Sequence, residues 1–262
     1  MDASRFAAWV VLVAMAAAAP AGAAVKLQVI EGRPVVDGVY VNGSGPYRFI
    51  IDTATSVNLV DVKLARSIGL TPTFRHELRT AAGISLTPGS GDVAVRLDSV
   101  QAGHQTFLFA GLGFLRDLSP TIKGVLGQSF LSRFDYLLDL RGKRLEFGAQ
   151  ASRGTRTALA TVTERPAVLT NRGLMLLDSG ADRVVFFGVG AGGRDLVETV
   201  AGPVSVGTTS GVPLVIEGRS IHYGEALTVP ERNEKTDATG LLPVSLFSTV
   251  YVCNSEGYVV LE

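Results

Sequence analysis

The chain has 262 residues, enough for one large or two modest domains with a well-buried core. Hydrophobic residues make up 47% and charged residues 18%, a globular balance, and the 30 glycines point to many turns. Lys+Arg and Asp+Glu are equal at 24 each and no long basic run stands out, which argues against nucleic acid or an anionic surface as a partner.

At the N-terminus, Arg5 precedes an apolar run from Phe6 to Ala19, followed by the small-residue stretch Pro20-Ala-Gly-Ala-Ala24. That order reads as a secretory signal peptide over 1–24, cleaved near Gly22 to Val25. Its apolar core is short for a span that needs about 20 residues, so no stable membrane anchor is expected after cleavage. The mature protein is expected to be exported, to a periplasm or the extracellular space. Cys253 is the only cysteine, which rules out an intrachain disulfide, and it reads as a small apolar core residue.

From Val25 onward the chain is strand-like. Val35 to Val41 alternates, Asn42-Gly43-Ser44-Gly45 supplies hairpin-turn chemistry, and Tyr47 to Ile51 is a second apolar strand. Asp61 to Ile68, closed by Gly69, is the one clear helix. Asp135 to Leu140 and Arg144 to Phe147 form a further hairpin around Arg141-Gly142-Lys143. The polar, small-residue segment from Ala149 to Thr163 marks a connection. The expected organisation is an N-terminal lobe over 25–150, a linker over 151–165 and a C-terminal lobe over 166–262.

The two halves repeat one another. Tyr47-Arg-Phe-Ile-Ile51-Asp52-Thr53-Ala54 parallels Gly173-Leu-Met-Leu-Leu177-Asp178-Ser179-Gly180: an apolar strand ending in Asp, then a hydroxyl residue, then a tiny residue. Further on, Gly124-Val125-Leu126-Gly127-Gln-Ser-Phe130-Leu131 parallels Gly240-Leu241-Leu242-Pro243-Val-Ser-Leu246-Phe247. Each is followed by a terminal hairpin, Tyr136 to Phe147 and Tyr251 to Leu261.

An aspartate that ends an apolar strand is costly unless it is satisfied or takes up a proton. Two of them at equivalent places in a duplicated chain can meet across a pseudo-two-fold axis. Carboxyls about 3 Å apart cannot both ionise, so such a pair shares one proton. One member then acts as base on a water and the other donates to a substrate carbonyl. Thr53 and Ser179 are placed to bond the opposite turn, and the small residues Ala54 and Gly180 let backbone N–H groups approach the carboxylates.

The order strand, Asp-Thr/Ser-Gly-like turn, then apolar-apolar-Gly resembles the aspartic peptidases. The first lobe is similar to the retropepsin-like bacterial domains through Val41-Asn42-Gly43-x-Gly-Pro46-Tyr-Arg-Phe49, Ile68-Gly69-Leu70, Thr80-Ala-Ala-Gly83 and Val125-Leu126-Gly127-x-x-Phe-Leu131. The resemblance implies an all-β acid-protease fold with two pseudo-symmetric closed lobes and a short helix in lobe 1. It implies hydrolysis of peptide bonds in peptide or protein substrates by Asp52 and Asp178, with no cofactor and no metal. By the same analogy Thr80, Ala81, Ala82 and Gly83, and also Ser205 to Gly211, would be flaps over the cleft.

Three residues depart from that pattern: Ala54 and Pro243 stand where the family has glycine, and Asp182 stands where a hydroxyl or small residue is usual. They favour the alternative of an inactive relative that binds extended peptides. The dyad has two forms as well, Asp52 with Asp178 in a monomer or Asp52 of two chains in a homodimer. Gly188-Val-Gly190-Ala-Gly-Gly193 matches a dinucleotide-binding spacing, but no helix is expected after it, so it reads as a loop. His76, His104 and His222 show no metal-ligand spacing.

Overall fold

The computed structural model describes residues 22–80, 83–115, 118–151, 153–188, 195–199, 202–211, 213–229 and 236–262. Most of the segment read as a signal peptide therefore lies outside the described residues. No helix among the described residues is long and apolar enough to cross a membrane.

Strands dominate because apolar residues alternate with polar ones. Ala23–Ile30 buries Ala23, Val25 and Leu27 while Ala24, Lys26 and Gln28 face solvent. Arg33–Val41 turns back along Ser44–Ile51 through Asn42 (φ 47°) and Gly43 (φ 79°), a left-handed pair that suits the twist of a tight hairpin. The expected helix forms over Val62–Ser67. The Asp61 side chain caps it by accepting from the N–H groups of Lys63 and Leu64, and Leu64 and Ala65 turn inward. Among the described residues the second half has no α-helix, only the 3-10 turn Val244–Leu246.

The duplication is plain in the sheet pairings. Ser44–Ile51 lies parallel to Ile122–Leu126, which lies antiparallel to Asn58–Asp61, which lies parallel to Val100–Ala110. In the second half Gly173–Asp178 lies parallel to Ala238–Pro243, which lies antiparallel to Val185–Phe187, which lies parallel to Glu225–Val229. Each half thus ends its aspartate strand beside an apolar-apolar-Gly/Pro strand.

The halves join through one sheet. From one edge its strands run in the order Thr155–Ala158, Tyr258–Leu261, Thr249–Cys253, Tyr136–Asp139, Arg144–Phe147, Ala23–Ile30, and beyond Ala23–Ile30 the sheet continues into the rest of the first lobe. The terminal hairpin of each half meets the other at the centre, Val250 opposite Leu138, and the opening strand of each half flanks its own hairpin. Beneath lies a core of Phe130, Phe134, Phe147, Val250, Val252 and Leu261, in which Phe130 packs edge-on to Phe147 at 6.0 Å. The segment read as a connection therefore contributes strands, Thr155–Ala158 and Ala160–Val162, where polar residues had suggested loop. Of the glycine-rich stretch 188–193, residues 189–193 lie outside the described residues.

Candidate active site

Asp52 follows the strand Ser44–Ile51, its N–H donating to the carbonyl of Leu126 at 3.0 Å. Asp178 closes the strand Gly173–Asp178 and is 6% exposed. The two turns are bolted together by the hydroxyl residues that follow. The N–H of Thr53 donates to Ser179 Oγ and the N–H of Ser179 donates to Thr53 Oγ1, both at 3.0 Å. Each hydroxyl then donates across the junction, Thr53 Oγ1 to the carbonyl of Leu177 at 2.6 Å and Ser179 Oγ to that of Ile51 at 2.7 Å. Thr53 and Ser179 are buried, so all four bonds are shielded from water.

The carboxylates converge on the space beside Gly180. A Cβ at Gly180 would lie 3.1 Å from Asp52 Oδ2 and 3.2 Å from Asp178 Oδ1, which is why this residue has none. Each carboxylate accepts from its own turn: Ala54 N–H to Asp52 Oδ1 at 2.9 Å, and Gly180 and Ala181 N–H to Asp178 Oδ1 at 2.7 and 3.0 Å. The surroundings then differ. Thr55 Oγ1 donates to Asp52 Oδ2 at 2.7 Å, whereas Ala181 stands at the equivalent place and Asp178 Oδ2 has no protein donor among the described residues.

Burial raises the proton affinity of both groups. For Asp52 it outweighs the Thr55 hydroxyl, the Ala54 N–H and the positive charge of Arg165, which favour the carboxylate. For Asp178 burial acts first and the neighbouring Asp52 charge second, pushing it up to about 7 against the N–H groups of Gly180 and Ala181 and the charge of Arg33. The pair therefore holds a proton well above the usual carboxylate range.

The three departures from the family pattern are accommodated. Ala54 is not in the left-handed region, so its methyl adds no backbone strain. Asp182 is half-exposed and its Oδ1 lies 3.9 Å from an Arg33 nitrogen, which offsets its charge. Pro243 lacks an N–H, and the reason this is tolerated lies in its counterpart. Gly127 donates its N–H to the buried Asn58 Oδ1 at 2.9 Å. The residue placed six after Asp178, as Asn58 is after Asp52, is the buried Val184, which offers no acceptor. Donor and acceptor are lost together, which leaves no orphaned polar group.

Several residues that shape the site escape a reading by strand and turn. Gln128, buried after Gly127, donates from Nε2 to the carbonyl of Thr53 at 2.8 Å and from its N–H to that of Thr55 at 2.8 Å, so the helix Gln128–Leu131 straps the first turn. Two arginines come from a third repeat, Arg33-Pro34-Val35-Val36 and Arg165-Pro166-Ala167-Val168. Each opens a strand after a two-residue turn with positive φ, Glu31 and Gly32 (47° and 78°) or Thr163 and Glu164 (47° and 66°). Arg33 Nε reaches across to the carbonyl of Gly180 at 2.8 Å. The shared Arg-Pro pair was the signal that would have revealed it.

Thr80 and Gly83 face each other at the end of the hairpin Phe74–Thr80 and Gly83–Leu97, while Ala81 and Ala82 lie outside the described residues. In the second half Ser205 to Ser210 lies within the strand Gly202–Ser210 and is no hairpin tip. The equivalent end is where Thr199 pairs with Gly202, and Thr199-Val-Ala-Gly202 repeats Thr80-Ala-Ala-Gly83. No cluster of three or more His, Cys, Asp or Glu residues able to hold a metal occurs among the described residues.

Residues 38–130 match the aspartyl protease family, which covers the body of the first lobe and none of the second. Among solved structures, a retropepsin-like aspartic protease from Rickettsia conorii is 20% identical over 48% of this chain and 89% of its own, with a TM-score of 0.37. Basic 7S globulin from soybean is 10% identical over 92% of this chain and 95% of its own, with a TM-score of 0.54. No curated protein matches the sequence. The all-β, two-lobed fold is the acid-protease fold.

Proposed function

We propose that this chain, whose first lobe carries the retropepsin-like aspartyl protease signature, is an aspartic-type endopeptidase that uses Asp52 and Asp178 of a single chain. The observation that carries this reading is the reciprocal bonding of Thr53 and Ser179, which brings the two carboxylates to either side of Gly180. With one proton between them, one carboxylate accepts a proton from water as it attacks the substrate carbonyl, and the other donates to the carbonyl oxygen. The tetrahedral intermediate then collapses as the leaving amine is protonated and the C–N bond breaks. Water is the nucleophile, and the backbone N–H groups of Ala54, Gly180 and Ala181 hold the carboxylates in place.

The substrate is an extended peptide or unfolded protein segment laid between the lobes, and export by residues 1–24 puts the enzyme among such substrates. The test is hydrolysis of a denatured protein by the mature chain, with loss of cleavage in Asp52→Asn and Asp178→Asn. A second reading, a peptide-binding relative without activity, is favoured by the methyl of Ala54 beside the dyad. Saturable peptide binding without any hydrolysis would select it.

A further inference from the structure

A crevice of about 470 Å³ opens between the lobes, and no residue of either aspartate turn lines it. Its size is within the range that small-molecule sites occupy. The first lobe lines it from the strand Val100–Ala110 and from the helix Gln128–Leu131 with the residues just after it; the second lobe lines it mainly from residues 159–166. Some of its polar groups are already engaged. Ser132 Oγ donates to the carbonyl of Gln128, Asn254 Nδ2 donates to the carbonyls of Leu131 and Phe134, and His104 is paired with Asp92. Others are not. Arg133 of the first lobe and Glu164 of the second make no ion pair among the described residues, and the side-chain hydroxyls of Thr106 and Thr161 bond to none of them. An uncompensated cation on one lobe thus shares a crevice with an uncompensated anion on the other, alongside the apolar Leu159 and Pro166. Opposite charges that line one space without pairing are complementary to a molecule that carries both signs.

We propose that this crevice is a second binding site that takes a short peptide with free termini, its carboxylate on Arg133, its ammonium on Glu164 and its amides on the hydroxyls of Thr106 and Thr161. The proposal rests on the peptidase reading only for the ligand's origin, because short peptides with free termini are what continued hydrolysis releases. A peptide held at both ends joins one lobe to the other. It also adjoins the strap on the first catalytic turn, since Gln128 and Ser129 line the crevice while their N–H groups hold the carbonyls of Thr55 and Ser56 at 2.8 and 3.0 Å. The site is therefore coupled to the turn of Asp52 without overlapping the dyad.

The test is a titration of trialanine into the full mature chain carrying Asp52→Asn, followed by amide NMR, so that binding is read without hydrolysis. Saturation with a Kd on the order of 1 mM or tighter is expected, with shifts at Ser129 and Thr161. N-acetyl-trialanine and trialanine amide should each bind at least about fivefold more weakly. Glu164→Gln should abolish the discrimination against the acetylated peptide, and Arg133→Gln that against the amide. Both side chains are exposed, so neither substitution disturbs the core. The proposal is overturned if trialanine does not saturate by ~10 mM, or if the blocked peptides bind as well as the free one. It is also overturned if neither substitution weakens binding, which would put the peptide in the cleft at the dyad. A chain that binds trialanine through Arg133 and Glu164 while its unsubstituted parent cuts no protein contradicts the peptidase reading and leaves this site standing.

Discussion

Thr53 and Ser179, separated by more than a hundred residues of chain, each donate a backbone N–H to the other's hydroxyl at 3.0 Å. Because each hydroxyl also donates to a carbonyl of the opposite strand, the two aspartate turns cannot move independently. The junction that aligns the carboxylates is thus also part of what holds the lobes together.

Replacing Thr53 with valine keeps the shape and orphans the N–H of Ser179 and the carbonyl of Leu177. Urea unfolding is expected to show a loss of about 2 kcal/mol. Ser179→Ala costs a similar amount, and the double variant costs less than the sum because the pair shares its partners. Strict additivity would show that the two turns are not coupled.

Asn58 is matched to Gly127 as Val184 is to Pro243. Asn58→Val strands the Gly127 N–H, and Val184→Asn buries an amide opposite a residue with no N–H to give; each is expected to destabilise by about 1–3 kcal/mol. Pro243→Gly added to Val184→Asn should recover part of that loss. Gly127→Ala is worse than either, because its Cβ would collide with the carbonyl oxygens of Thr55 and Val57.

Gly180→Ala would set a methyl 3.1 Å from Asp52 Oδ2 and 3.2 Å from Asp178 Oδ1, close enough to push the two carboxylates out of place. A fall in kcat of at least about 100-fold is expected. Ala54→Gly, which removes the one methyl of the first turn that the second turn lacks, should raise kcat.

The buried dyad also sets how stability depends on pH. Asp178 is raised in the folded state to about 7, whereas an unfolded aspartate titrates near ~3.9. Between those values the folded chain binds more protons than the unfolded one, so stability falls as pH rises through the window. Asp178→Asn removes the Asp178 share of that slope, leaving that of Asp52, and should be more stable than the parent above pH ~7, as read from thermal melts across the range. An unchanged slope would place the shared proton elsewhere.

Much of this was legible in the sequence because its signals are local. The alternation in Val35–Val41, the Asn42-Gly43 turn and the capped helix after Asp61 are each written within a few residues. The aspartate turns stood out because a charged residue at the end of an apolar strand occurs twice. What escaped depends on contacts between distant segments. Nothing local shows that Asn58 faces Gly127, or that Tyr136–Asp139 and Thr249–Cys253 would share a sheet. The polar stretch before Arg165 read as linker because edge strands carry few apolar residues, and that hid the Arg-Pro repeat with Arg33.

The most direct measurement is cleavage of a denatured protein by the folded mature chain across pH ~3 to ~8, beside Asp52→Asn and Asp178→Asn. The parent is expected to cut and each single variant to be silent. Cleavage surviving in Asp178→Asn but lost in Asp52→Asn would point to a dyad built from two first lobes and contradict the single-chain site. A folded parent that binds peptide and cuts nothing would contradict the peptidase reading itself.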